Sequence, residues 1–149
     1  YENLCYNIPK IYPENCITLI RQALINKLCY VESEDYAQYT FPALKALEGH
    51  IKFLMKKANI CFDSRKIGAS FKPNNDEVVF VLNETNIVDD INLKQNIEKC
   101  YNYYYKNRHT LFHFGDLIGN TDNSRMIGTK READEIIDSI IKIINETSV

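Results

Sequence analysis

The chain has 149 residues, 45% of them apolar and 26% charged, the balance of an ordinary globular domain. Eighteen basic residues against twenty acidic ones give a net charge of −2. That excludes a protein that grips nucleic acid through a globally basic surface, so contact with a polyanion has to come from a local patch. Wholesale disorder and fibrous repeats are excluded as well.

Nowhere do eighteen apolar residues run together, so no membrane-spanning helix is expected. The opening Tyr1-Glu2-Asn3-Leu4-Cys5-Tyr6 has neither a basic nor an apolar signal region. The five cysteines, Cys5, Cys16, Cys29, Cys61 and Cys100, are odd in number, and none form a C-x-x-C pair. They read as reduced, mostly buried thiols of a cytoplasmic protein. The first residue is not Met. The expectation is one domain over 1–149, excised from a longer chain.

Four helices and one irregular stretch are expected. The first runs over about 14–31 behind Pro13, with Ile17, Ile20, Leu24 and Leu28 as its apolar face. The second runs over about 35–59. Its stripe is Leu44, Leu47, Ile51, Leu54, Met55 and Ala58, and Pro42 either starts or kinks it. Residues 59–90 lose the helical period and read as an irregular insertion. Pro73-Asn74-Asn75-Asp76 is a turn signal there, and 78–82 is a strand-like run with no evident partner. A third helix spans about 90–114, with Leu93, Ile97, Cys100, Tyr104 and Leu111 inward and Gly115 ending it. A polar loop over 116–128 follows. The last helix covers about 130–146, opened by a Thr129–Glu132 capping box. Its isoleucines cover more than half the circumference, as for a helix central in the fold or shared with a partner. The fold class is all-α, an up-down helical bundle of four to five helices.

Chemistry concentrates in Arg108-His109-Thr110-Leu111-Phe112-His113. His109 and His113 lie one turn apart on the side away from the apolar stripe, with Arg108 at its edge. An Arg there binds phosphate bidentately and stabilises charge developing on it. An imidazole's intrinsic pKa is near neutrality, so His113 can pass a proton to or from a ribose oxygen. That set serves RNA cleavage, in which the 2′-OH is the nucleophile. On these six residues alone it reads first as a solvated helix face carrying two ordinary histidines and an arginine, since R-x4-H arises often by chance. Glu48 lies beside the second helix's apolar stripe, costly to bury unless paired: either an Arg of the third helix partners it, with Arg108 a candidate, or it is a rim residue that reaches solvent. Two histidines without a third ligand do not make a zinc site. The Gly-Lys-Ser/Thr of a phosphate loop and G-x-S-x-G are both absent. Neither metal nor cofactor is expected. Tyr101, Tyr103, Tyr104 and Tyr105 cluster before the Arg; Tyr104 reads as core, Tyr103 or Tyr105 as a base-stacking or interface residue.

Arg108-His109-x-x-x-His113 near the end of an internal helix resembles the HEPN superfamily signature R-x4–6-H. The residue after the Arg is usually Asn, Asp or His there, and His109 fits. Residues 41–49 (Phe-Pro-Ala-Leu-Lys-Ala-Leu-Glu-Gly) resemble the second-helix block of the RNase LS toxin family. Cys100-Tyr101-Asn102-Tyr103-Tyr104 with Arg108–His113 resembles that family's catalytic block, and the likeness covers about 36–146. It implies a C-terminal, HEPN-type endoribonuclease domain of a toxin–antitoxin or phage-defence system, preceded by further domains. It implies metal-independent cleavage of RNA by Glu48, Arg108 and His113, with His109 helping to position the site. It implies a homodimer in which two R-x4–6-H motifs face each other, a cognate antitoxin, and a phage antitoxin-like inhibitor. Nothing in 59–90 is carried over. A non-catalytic HEPN module for dimerisation and antitoxin binding is the alternative, and a plain helical structural protein is a third. The third requires Glu48 to point to solvent, away from Arg108 and His113.

Overall fold

Small residues set how the first two helices meet. Helix α1, Glu14–Leu28, buries Cys16, Ile20 and Ala23. Helix α2, Phe41–Lys57, passes so close that a Cβ built on Gly49 would lie 2.5 Å from Cys16 Sγ. The expected α1 face is therefore turned: Ile17 and Leu24 are only partly buried, and Leu28 is 85% exposed at the helix end. The chain leaves the helix there, three residues before the expected stop, so Leu28 has nothing to pack on.

The computed structural model describes residues 12–74, 79–112, 117–118, 121–122 and 124–148. A 3-10 turn, Ala37–Thr40, precedes α2, and Pro42 sits in its first turn, where its missing N–H costs nothing. Pro42 thus starts the helix rather than kinking it. The far end closes on Asn59, whose φ of 57° is left-handed. Asn59 N–H donates to the Lys56 carbonyl and Ile60 N–H to the Met55 carbonyl, the paired bonds of a Schellman closure. Helix α2 packs against each of the other helices. Its buried set therefore widens from the expected stripe to Ala43, Leu44, Ala46, Leu47, His50, Ile51, Leu54 and Met55.

The 59–90 stretch is more ordered than its sequence suggests. Strand β1, Phe71–Pro73, pairs antiparallel with β2, Phe80–Leu82, in the register Phe71 to Leu82. The strand-like run over 78–82 has a partner after all; residues 75–78 lie outside the described residues. A two-stranded hairpin is marginal alone, and this one is docked on helix α3, Ile91–Phe112. Asn102 accepts from Phe80 N–H (2.7 Å) and donates to its carbonyl (2.8 Å), standing in for a third strand. The Phe71 ring stacks on Tyr101 at 3.7 Å.

Asp90 caps α3 by accepting from Leu93 N–H at 3.0 Å. The expected stop at Gly115 lies outside the described residues. The polar loop carries a short two-residue ladder, β3 (Leu117–Ile118) with β4 (Thr121–Asp122). Helix α4, Lys130–Thr147, is capped by the Thr129 hydroxyl, which accepts from Glu132 N–H at 3.2 Å. The Glu132 carboxylate lies 3.5 Å from Arg125 rather than closing the box on Thr129. Ala133, Ile136, Ile137, Ile140, Ile141, Ile143 and Ile144 are all buried within this chain, so α4 is central in the fold. The all-α helical bundle stands, with the hairpin as its addition. Of the described cysteines, Cys16 and Cys100 are buried but Cys29 and Cys61 are exposed, fewer buried than expected.

His50 belongs to this core and not to a site. Its Nε2 lies 2.7 Å from the Thr147 hydroxyl, which donates to the Ile143 carbonyl. The hydroxyl proton being committed, Nε2 carries the imidazole proton and Nδ1 is bare and without a protein partner. Burial lowers the His50 pKa from 6.5 to about 4.

Two outcomes follow from this packing. Gly49→Ala should destabilise by about 1–3 kcal/mol through overpacking, although Ala is the better helix former. Adding Cys16→Ala should restore most of the loss in urea unfolding; an additive double mutant would refute the contact. For His50 the unfolded state binds the extra proton between pH 6.5 and about 4, so stability is full above 6.5 and falls through that window. His50→Gln should remove that part of the slope in pH-dependent urea titrations; an unchanged slope would place its cause elsewhere.

Candidate functional site

Glu48 leaves α2 toward α3 with a side chain 29% exposed. Its Oε1 accepts from Lys52 Nζ at 2.7 Å, one turn on, and its Oε2 accepts from the Tyr104 hydroxyl at 2.7 Å. Tyr104, on α3, also carries Arg108: the guanidinium carbon lies 5.7 Å from the ring centroid. The sequence expectation of a direct Glu48–Arg108 pair is thus corrected. The carboxylate holds the tyrosine, and the tyrosine holds the guanidinium. An exposed Arg108 head one turn from Tyr104 reaches the ring face more readily than a carboxylate already engaged by two donors.

Burial acts to raise the Glu48 pKa, but bonds from Lys52 and Tyr104, with the charges of Lys52 and Arg108, outweigh it and hold the carboxyl below its ordinary value. Burial, with the Glu48 bond and charge behind it, pushes the Tyr104 phenol up. At neutral pH the unit is a carboxylate, a neutral phenol and a guanidinium.

Two clefts meet at these three residues. One, of about 210 Å³, adds Phe41, Lys45 and Phe112. The other, of about 240 Å³, adds Arg65, Lys66, Gly68, Tyr105 and His109. Among the described lining residues Glu48 is the only carboxylate, set against Lys45, Arg65, Lys66 and Arg108. This is the local basic patch that the overall charge of −2 leaves room for. Among the described residues, two larger hollows, of about 700 and 730 Å³, are lined without a carboxylate or an imidazole.

Of the sequence candidates, Glu48, Arg108 and His109 line one cleft. His109 is exposed and its ring stacks on Tyr105 at 4.9 Å, tilted by only 9°. His113 lies outside the described residues. Sequence reasoning missed Lys52, Arg65, Lys66 and the polar role of Tyr104, which is buried as expected but uses its hydroxyl. Lys52 was legible as the i+4 partner of Glu48. Arg65 and Lys66 reach the cleft only through the path of the insertion.

The comparisons with known proteins agree on one family. Residues 3–115 match the family described as RNase LS, bacterial toxin DBD domain. The chain is 30% identical over 146 residues to the mRNA endoribonuclease LsoA of Escherichia coli O157:H7, covering 97% of this chain and 40% of that protein. Its fold resembles that of Escherichia coli toxin LsoA in its crystal structure with the T4 phage antitoxin Dmd, at a TM-score of 0.75 and 27% identity. That likeness covers 98% of this chain and 57% of the other. The chain therefore spans well under two thirds of the relatives it matches. With most of its length matched, the chain belongs to the RNase LS bacterial toxin DBD-domain family.

Proposed function

We propose that this chain is the RNA-cleaving, HEPN-type part of a toxin endoribonuclease that works in a toxin–antitoxin or phage-defence system. One observation carries the reading: the Glu48–Tyr104–Arg108 chain sits at a basic cleft in an otherwise slightly acidic protein. Kinship with LsoA, named an mRNA endoribonuclease, supports it.

In the proposed reaction the ribose 2′-oxygen bonds to the adjacent phosphorus as the bond from phosphorus to the 5′-oxygen breaks. The 2′-OH loses a proton and the leaving 5′-oxygen gains one. The products are a 2′,3′-cyclic phosphate and a 5′-hydroxyl. Arg108 binds the phosphate and offsets the charge that develops on it. Glu48 and Tyr104 position Arg108. His113 is the general acid/base, and His109 helps to hold the site. Because the 2′-OH is the nucleophile, no metal is required.

The functional unit is a homodimer that brings two R-x4-H motifs together. Phe41 and Phe112, both partly exposed and packed edge-to-face at 5.7 Å beside Arg108, offer an apolar rim for a second copy. An antitoxin, or a phage protein like Dmd, which accompanies LsoA in its structure, is the regulating partner. The 40% coverage of LsoA favours one other reading, a binding module for dimerisation and antitoxin capture with catalysis elsewhere.

His113→Ala and Arg108→Ala should each lower RNA cleavage at least about 100-fold while thermal unfolding is unchanged. Cleavage should persist in EDTA. Undiminished cleavage by either variant, with contaminants excluded, would overturn the mechanism; a parent chain that binds antitoxin yet cleaves nothing would support the binding module.

A further inference from the structure

The insertion puts two cations where the scissile phosphate does not require them. After α2 the chain turns at Asp63, whose carboxylate accepts from Arg65 N–H at 2.9 Å and whose carbonyl accepts from Lys66 N–H at 2.9 Å. The buried Ile67 anchors the next residue. A Cβ on Gly68 would stand 3.0 Å from the Tyr101 hydroxyl, so this turn lies close against α3. The backbone of Arg65 and Lys66 is therefore fixed, while both side chains remain exposed and line the same cleft as Arg108 and His109. Arg65 Nε also lies 3.7 Å from the Asp63 carboxylate, a solvent-exposed pair that holds its position weakly and leaves its outer N–H groups for a phosphate.

We infer that Arg65 and Lys66 form a second phosphate clamp, for a backbone phosphate flanking the cleaved one, so that the substrate is single-stranded RNA crossing from Arg108 to the insertion. This rests on the RNA-cleaving reading. Charge alone would equally suit an acidic peptide. The flat His109–Tyr105 stack beside the same cations favours RNA, because single strands are held by cations for phosphates and ring faces for bases. The clamp also accounts for how a chain with charge −2 holds a polyanion: the cations are gathered at one cleft.

The test measures binding of a fluorescent 2′-O-methyl RNA dodecamer, which lacks the nucleophile, to the full chain at several salt concentrations. Arg65→Ala/Lys66→Ala should weaken binding roughly tenfold or more at low salt. It should also reduce the slope of log affinity against log salt by about 0.7, the loss of one neutralised single-strand phosphate. On cleavable RNA the same variant should raise KM with kcat held within about twofold, and its thermal unfolding should match the parent's. Binding and slope equal to the parent's would overturn the clamp, as would a variant that keeps RNA affinity but loses affinity for poly-glutamate. Arg108→Ala separates the two claims. If it abolishes cleavage while the double variant behaves as the parent, only the clamp fails. If neither variant changes binding or cleavage, the site reading fails with it.

Discussion

A carboxylate that is neither fully buried nor freely solvated needs donors, and at Glu48 the two that serve it come from different helices. Lys52 closes from the next turn of α2, and Tyr104 reaches across from α3. The second bond does more than satisfy the acid. It pins the phenol, and the pinned ring gives Arg108 a face to lie on at the mouth of two clefts. Removing the carboxylate would leave a half-buried hydroxyl unpartnered. The guanidinium would then lack the support that limits the rotamers its long side chain adopts. Charge, packing and placement are thus one arrangement, built on the α2–α3 contact.

That contact is secured from both sides. Helix α2 touches each of the other helices, and Gly49 lets α1 come close enough for Cys16 to fill the space where a side chain would stand. Beyond residues 65–68, which line the cleft, the hairpin is held to α3 by Asn102 and by the Phe71–Tyr101 stack. The insertion is therefore a wall of the cleft rather than an ornament. Arg65 and Lys66 take their places from it, although nothing in their local sequence announces a site.

How legible each part was follows from how local its cause is. The four helices were visible because their apolar spacing is a property of the segment itself. Pro42 and Thr129 were visible because caps and first turns obey local chemistry. The hairpin was not, because its two strands are three residues each, too short to signal a pairing, and the pair is held in place by its docking on α3 through Asn102. The same distinction divides the site. Glu48 and Arg108 stood out as charges beside apolar stripes, but the mediator between them, Tyr104, looked like core and is core except at its hydroxyl. His50, by residue type as good a candidate as His109, is instead a neutral imidazole sealed under α4.

The proposed function makes this cleft a phosphate-handling one, and its central claim concerns the attacking atom. The most direct measurement uses an RNA oligomer with a single preferred cut site and a matched oligomer whose one 2′-OH at that site is replaced by hydrogen. The account predicts that the first is cut to a 2′,3′-cyclic phosphate and a 5′-hydroxyl, and that the second is left intact at that position while still bound. Cleavage of the deoxy-substituted position at a comparable rate would contradict it, because the nucleophile would then have to come from somewhere other than the RNA.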